Sequence, residues 1–421
     1  MKRLLLAAVF VTVAGTAFAQ QSKIANMRPY DKSGINMFET PKMDTIPFDD
    51  VKVRIGAGFT QQFQALKHSN NSTSATKLYN LRSGFNLATA NLNIDAQLAK
   101  GIRLNLISYL SARHHQETWV KGGFVQIDAS PVNSELLDNV FKYVTVKIGH
   151  YEDNYGDAHF RRTDNGHSLY NPFIGNYILD GFTTEIGAEI DFQKDGFLAV
   201  AAVHNGEIKG EISDAPTRNP SFIGKLGYDK QLNNDLRVRL TGSVYHNNGA
   251  AANTLYTGDR GGSRYYLVME AAGSNAKDAA WSGNLRPGFS RQVTAFMINP
   301  FVKYQGLELF GTLEFAKGKA INEVNKRDVN QLAVEGIYRF AKNENLFVGV
   351  RYNTVTADML FGTATQEIKM NRVQASAGWF VTKNMVVKAE YVSQKYNDFP
   401  TSNLLSGGKF KGMMFEASVG F

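Results

Sequence analysis

The 421-residue chain carries 46 Lys and Arg against 38 Asp and Glu, a formal charge of +8, and contains no cysteine. The lack of Cys excludes a disulfide framework and a thiolate metal centre. The basic excess is small and no Lys/Arg block concentrates it, which argues against a nucleic-acid partner.

The chain opens MKRLLLAAVFVTVAGTAFAQ: two cations, an apolar run from Leu4 to Val13, then small residues ending at Ala19. This is the layout of a secretory signal, so residues 1–19 are expected to be removed, which lowers the formal charge to +6 as Lys2 and Arg3 leave. No later apolar run is long enough for a spanning helix, so a helical membrane protein is excluded. The 38 Gly, 18 Tyr and 28 Phe against 10 Pro suit many strands joined by turns.

Residues 20–50 are polar, are punctuated by Pro29, Pro41 and Pro47, and read as a periplasmic lead-in. At Val51 the pattern changes. Val51, Val53, Ile55, Ala57 and Phe59 fall on one face while Lys52, Arg54, Thr60 and Gln62 fall on the other, the period of two that marks a strand. The alternation recurs with Leu92, Ile94, Ala96 and Leu98 against Asn91, Asn93, Asp95 and Gln97. It recurs with Ile186, Ala188, Ile190 and Phe192 against Glu185, Glu189 and Asp191, and it closes the chain with Met413, Phe415, Ala417, Val419 and Phe421 against Glu416 and Ser418.

A soluble sandwich or solenoid would bury the apolar face and a membrane barrel would show it to lipid. Segments of about ten to fourteen residues are long enough to cross a bilayer at a tilt. Short connections, such as Lys100-Gly101, Gln305-Gly306 and residues 382–384, alternate in strict order with long ones, such as residues 152–181, 247–292 and 397–408. That asymmetry belongs to outer-membrane barrels. The predicted fold is therefore all-β: a transmembrane antiparallel β-barrel of about sixteen strands over residues 51–421, with both ends periplasmic. Keeping residues 263–271 in a long loop preserves the even count, and residues 134–140 read as a helical turn on the short side.

Several stretches carry a resemblance. Lys32-Ser33-Gly34-Ile35-Asn36 with Phe38-Glu39-Thr40-Pro41, then VTVKIGHYEDNYGDAHFRRTDNG ending at Gly166, and the terminal Phe421 together resemble the porins of Bacteroidota outer membranes. More loosely, the layout is similar to the phosphate-selective porin O and P family. The resemblance implies a homotrimer in outer-membrane lipid, with the loop after the fifth strand folded inward to constrict the pore. Residues 152–181 occupy that position. Phosphate specificity is not carried over, because the loop holds only Arg161 and Arg162 rather than a stacked Arg run.

The expected constriction residues are Glu152, Asp153, Asp157, Arg161, Arg162 and Asp164. They are expected to face a basic wall of Lys52, Arg54, Arg351, Arg372 and Lys388, with an acidic wall of Glu185, Glu189 and Asp191 elsewhere. The alternative, that the loop charges form a solvated external loop, stays open at this point. No cofactor and no metal are expected: His114 and His115 point to opposite faces of a strand, and His150, His159 and His167 with Asp153 and Asp157 make only a weak cluster. No phosphate-binding fingerprint or nucleophile elbow occurs, so catalysis is not expected. The function read from the sequence is passive diffusion of small hydrophilic solutes or ions, with a slight anion preference. The rival is a plugged barrel that docks surface lipoproteins or a secretion system through residues 247–292.

Overall fold

The computed structural model describes residues 22–42, 46–111, 118–208, 218–257, 263–276 and 281–421. The expected signal, residues 1–19, and the His114-His115 pair lie outside the described residues.

Sixteen long strands form the sheet: β1 (Lys52–Ser69), β2 (Thr89–Ala99), β3 (Ile102–Ser111), β4 (Trp119–Ile127), β5 (Val144–Glu152), β6 (Thr184–Lys194), β7 (Phe197–His204) and β8 (Ser221–Gln231). They continue as β9 (Leu236–Asn247), β10 (Gln292–Tyr304), β11 (Leu307–Lys319), β12 (Arg327–Phe340), β13 (Leu346–Phe361), β14 (Ala364–Thr382), β15 (Met385–Asn397) and β16 (Lys409–Gly420). Each pairs antiparallel with its sequence neighbours, and β1 pairs with β16 from Gly58 opposite Gly420 to Ser69 opposite Lys409, which closes the barrel. Closure leaves no sheet edge, so every strand donates and accepts on both sides as a lipid environment demands. A two-residue piece, Gly84–Phe85, covers the outer part of β1 where β2 no longer reaches it.

The period of two sorts the side chains as the sequence predicts. On β12 and β13, Val334, Tyr338, Val348 and Val350 are exposed outside, while Glu335, Arg339, Arg351 and Asn353 are buried inside. Exposed Tyr304, Tyr338, Phe340, Trp379 and Phe421 gather at the short-turn end, as an interfacial girdle does. Phe380, next to the outward Trp379 on the same strand, turns inward and packs on Phe347.

One charge on the outer face should therefore be costly. Val334, mid-strand on β12 and 51% exposed, is expected to lose about 2–4 kcal/mol of folding stability as Val334→Arg. Urea unfolding in lipid vesicles checks this, and a loss near zero would place that face out of the bilayer.

The connections follow the predicted asymmetry with one exception. A short helix, α1 (Glu135–Phe141), capped by the Ser134 side chain, sits in the longest short-side connection. Residues 263–271 form no spanning strand. On the long-loop end, however, β13 and β14 join through Gly362 and Thr363 alone, with Gly362 at a φ of 65°, so the alternation is not strict. These two strands, of 16 and 19 residues, extend far enough to meet in a tight turn.

Candidate functional site

The third long-side connection, residues 153–183, does not project outward. It is buried almost throughout and lies against the inner wall. Its backbone N–H groups donate to wall side chains: Gly156 to Ser243 on β9 (2.9 Å), Asp157 to Asn299 on β10 (2.8 Å), Leu179 to Gln331 on β12 (3.0 Å), Ile178 to Asn353 on β13 (2.7 Å) and Ile174 to Glu390 on β15 (2.7 Å). On the other side, the Gly166 carbonyl accepts from Thr60 on β1 (2.9 Å) and Ser168 donates to Glu416 on β16 (2.8 Å). The inward Asn, Gln and Glu of the strands thus take up the hydrogen-bonding needs of an irregular chain. Gly166 is a point of close approach: a Cβ there would lie 2.6 Å from the Gly58 carbonyl oxygen.

The charges meet pairwise. Asp157 takes both sides of the Arg239 guanidinium at 2.8 Å, accepts from Thr241 at 2.7 Å and lies 3.2 Å from Lys225. Arg161 lies between Glu308 (3.6 Å) and Glu335 (3.5 Å). Arg162 forks onto Asp180 and stacks over Phe182. Asp164 is held by Lys121 and Tyr109, and Glu152, the last residue of β5, contacts His159 at 2.5 Å.

The predicted basic wall faces inward, but most of it is matched locally. Lys52 pairs with Asp49 at the short-turn mouth (2.5 Å), Arg54 with Asp95 (2.6 Å), Arg351 with Glu335 (2.7 Å) and Lys388 with Glu416 (2.5 Å). Arg372 instead donates to the carbonyls of Asn176 (2.5 Å) and Gly283 (2.6 Å). On the acidic wall, Glu189 and Asp191 share Lys147 at 2.7 and 3.0 Å, whereas Glu185 accepts from Tyr245 at 2.7 Å. The histidine cluster weighed from the sequence does not form: His150 bonds Thr184, His159 bonds Glu152, and His167 bonds Asn93 and stacks on Tyr30.

Two further segments enter the bore: the lead-in, read from the sequence as periplasmic, and the long connection between β9 and β10, read as one of the long loops. The lead-in places Asn36 against Glu308 (2.6 Å), Arg28 over Tyr170, and Glu39 against Arg239 (2.8 Å). The long connection between β9 and β10 turns Leu255, Tyr256, Tyr265, Val268 and Met269 inward. These residues join Ile174, Ile178 and the inner-wall residues Val329, Val355 and Met370 in one apolar cluster. The signal was present: β13 and β14 carry Val355, Ala357, Ile368 and Met370 on the face that lower down holds Arg351 and Arg372. At the short-turn mouth a cavity of about 1130 Å³ remains, lined by Glu39, Lys42, Arg237 and Arg239 among others.

The Asp157 clamp sets a pH dependence. Burial opposes ionisation of Glu39, but Arg239 and Lys225 outweigh it and lower its pKa to about 2. Asp157 is likewise held below the usual carboxylate range: burial opposes ionisation, and the same two cations prevail. Carboxylates depressed in the folded state contribute stability that is complete above their unfolded values, about 4, and is lost as the pH falls through the folded ones. Channel conductance is expected to hold steady from pH 7 to 5 and to rise below about pH 4 as the segment loosens. A profile still flat below pH 2 would contradict the clamp.

No family model matches the chain, and no curated protein matches it. Solved structures do. The chain is similar to the anion-selective porin from Comamonas acidovorans (12% identity, 88% of this chain and 100% of that one, TM-score 0.54). It is also similar to Salmonella typhi OmpF in complex with daunomycin (11%, 89% and 99%, 0.52) and to the trimer form of the outer membrane protein OmpT of Vibrio cholerae (13%, 89% and 100%, 0.50). At such identities the likeness shows the fold alone: the closed barrel of outer-membrane porins. Together with the apolar exterior it locates the protein in the bacterial outer membrane.

Proposed function

We propose that the protein is a passive porin admitting small hydrophilic solutes and ions through a bore narrowed by residues 153–183. The observation that carries this reading is that the segment is bonded to opposite sides of the barrel, through Asp157 to Arg239 on β9 and through Ser168 to Glu416 on β16. A sixteen-stranded barrel is wide enough for an aqueous channel, and a chain anchored on both sides narrows that width. Asp153, Asp157, Arg161, Arg162 and Asp164 belong to the dividing segment, and Glu152 stands at its root. Because Arg54, Arg351 and Lys388 each face an acid across a short distance, their field is local and the anion preference is weak. Homotrimeric assembly and kinship with Bacteroidota porins belong to the same reading. They are supported by the motif resemblance and, for assembly, by the trimer form of the Vibrio cholerae OmpT.

Swelling of liposomes carrying the purified protein tests this. Rates are expected to fall steeply from pentoses to trisaccharides, with a reversal potential close to zero in a KCl gradient. A folded, reconstituted protein that passes no pentose would contradict it.

One observation favours a second reading, a plugged barrel that docks a partner. The apolar cluster inside the bore, which joins Ile174 and Ile178 with Tyr265 and Val268, is a packed core, and a packed apolar core does not conduct. Negligible conductance together with a stoichiometric partner on pull-down would select that reading. The inward turn of Leu255, Tyr256, Tyr265, Val268 and Met269 keeps those residues of the long connection from facing such a partner.

A further inference from the structure

Where the inward segment leaves the wall, three side chains from three elements converge: Asp153 just after β5, Glu185 on β6 and His204 at the end of β7. One ligand-capable atom from each lies within 4.8 Å of the others. All are buried, with 3%, 0% and 2% of their surface exposed. Both carboxylate oxygens of Asp153 and Nδ1 of His204 lack a hydrogen-bond partner. Among the described residues no Lys or Arg reaches Asp153 or Glu185 within 4.0 Å, and Lys147 is already shared by Glu189 and Asp191. A buried carboxylate with no hydrogen bond and no Lys or Arg beside it costs several kcal/mol unless a proton or a cation neutralises it, and the donor set around Asp153 suits a cation.

The geometry says which kind. His204 Nδ1 stands 3.0 Å from Asp153 Oδ1 with no hydrogen bond between them. Two donors sharing one metal sit in just this relation: bonds of about 2.0–2.2 Å place neighbouring donors about 3.0–3.5 Å apart, each aimed at the ion rather than at the other. The remaining polar atoms are tied back as supports of a metal site are. His204 Nε2 bonds the Tyr151 hydroxyl at 2.9 Å, leaving Nδ1 as the inward donor. Glu185 accepts from the Tyr245 hydroxyl at 2.7 Å and from the Gly206 N–H at 3.1 Å.

We propose that Asp153, Glu185 and His204 bind one divalent transition-metal ion of the Zn²⁺ and Co²⁺ class. One imidazole and two carboxylates suit such ions, whereas Ca²⁺ and Mg²⁺ take all-oxygen shells. The ion ties the root of residues 153–183 to β6 and β7. This revises the sequence expectation of no metal, which weighed Asp153 with His150, His159, His167 and Asp157 and not with Glu185 or His204.

The test is Co²⁺ titration of the full-length protein in detergent after chelator stripping, followed by visible absorption. The expected result is saturation at one Co²⁺ per chain, displacement by Zn²⁺, and indifference to Ca²⁺. His204→Gln and Glu185→Gln should each weaken binding by more than about tenfold, with heat-modifiable gel migration showing that both barrels remain folded. Absence of saturable Co²⁺ binding would overturn the proposal, as would unchanged affinity in both folded variants. The readout does not involve conductance, so its failure and that of the porin reading are separable.

Discussion

Replacing residues 155–170 by a short Gly/Ser linker is expected to raise single-channel conductance several-fold. The deletion removes Asp157, Arg161, Arg162, Asp164 and Ser168 with all their bonds to the wall, and the strands that close the barrel are untouched. In an outer-membrane barrel the walls carry their own backbone pairing, so the container survives loss of its contents. Planar-bilayer recording of wild-type and shortened protein, under one salt condition, gives the ratio. Equal conductance would mean that the segment does not set the width of the path. Conductance only in the shortened protein would point to the plugged reading.

Asp157→Ala is expected to produce the largest effect of any single substitution in the bore. It leaves Arg239 and Lys225, both buried, with Glu39 as the remaining close acid apart from the partly exposed Asp229 at 3.0 Å from Arg239. Removing one partner of a buried ion pair costs about 3–5 kcal/mol, and here the cost falls on docking the segment rather than on the barrel. The expected outcome is a channel that flickers to a wider state and a segment open to protease, while the heat-modifiable migration of the folded barrel is retained. Conductance and proteolysis like those of wild type would show that Asp157 is not the anchor. The shortened protein should be insensitive to acid in the same recordings, because the depressed carboxylate of Asp157 has left with the deletion.

The barrel was legible because its rule is local. A strand residue and its neighbour face opposite sides, so Val53 and Ile55 against Lys52 and Arg54 already separate lipid from bore. The place of residues 152–181 after the fifth strand was likewise readable. What the sequence did not disclose is how the interior is filled, since that depends on contacts between residues far apart in the chain: Asn36 with Glu308, Tyr265 with Glu390, Asp153 with His204. Counting inward charges also misled. Arg351 read as part of a basic wall set apart from the acids, yet Glu335 faces it in register on the neighbouring strand and the two form a pair. Arg372, read as part of an attracting wall, binds two segments through their carbonyls.

The position of residues 153–183 across the bore is tested most directly by a disulfide. The chain has no cysteine of its own, and the hydroxyl oxygens of Thr60 on β1 and Ser168 on the segment stand 3.2 Å apart. With Thr60→Cys and Ser168→Cys together, oxidation of the folded protein is expected to form an intramolecular crosslink in nearly every chain, visible as a reducible shift on a denaturing gel. Two free thiols, both labelled from outside by an impermeant maleimide, would mean that the segment lies in solvent and would contradict the account.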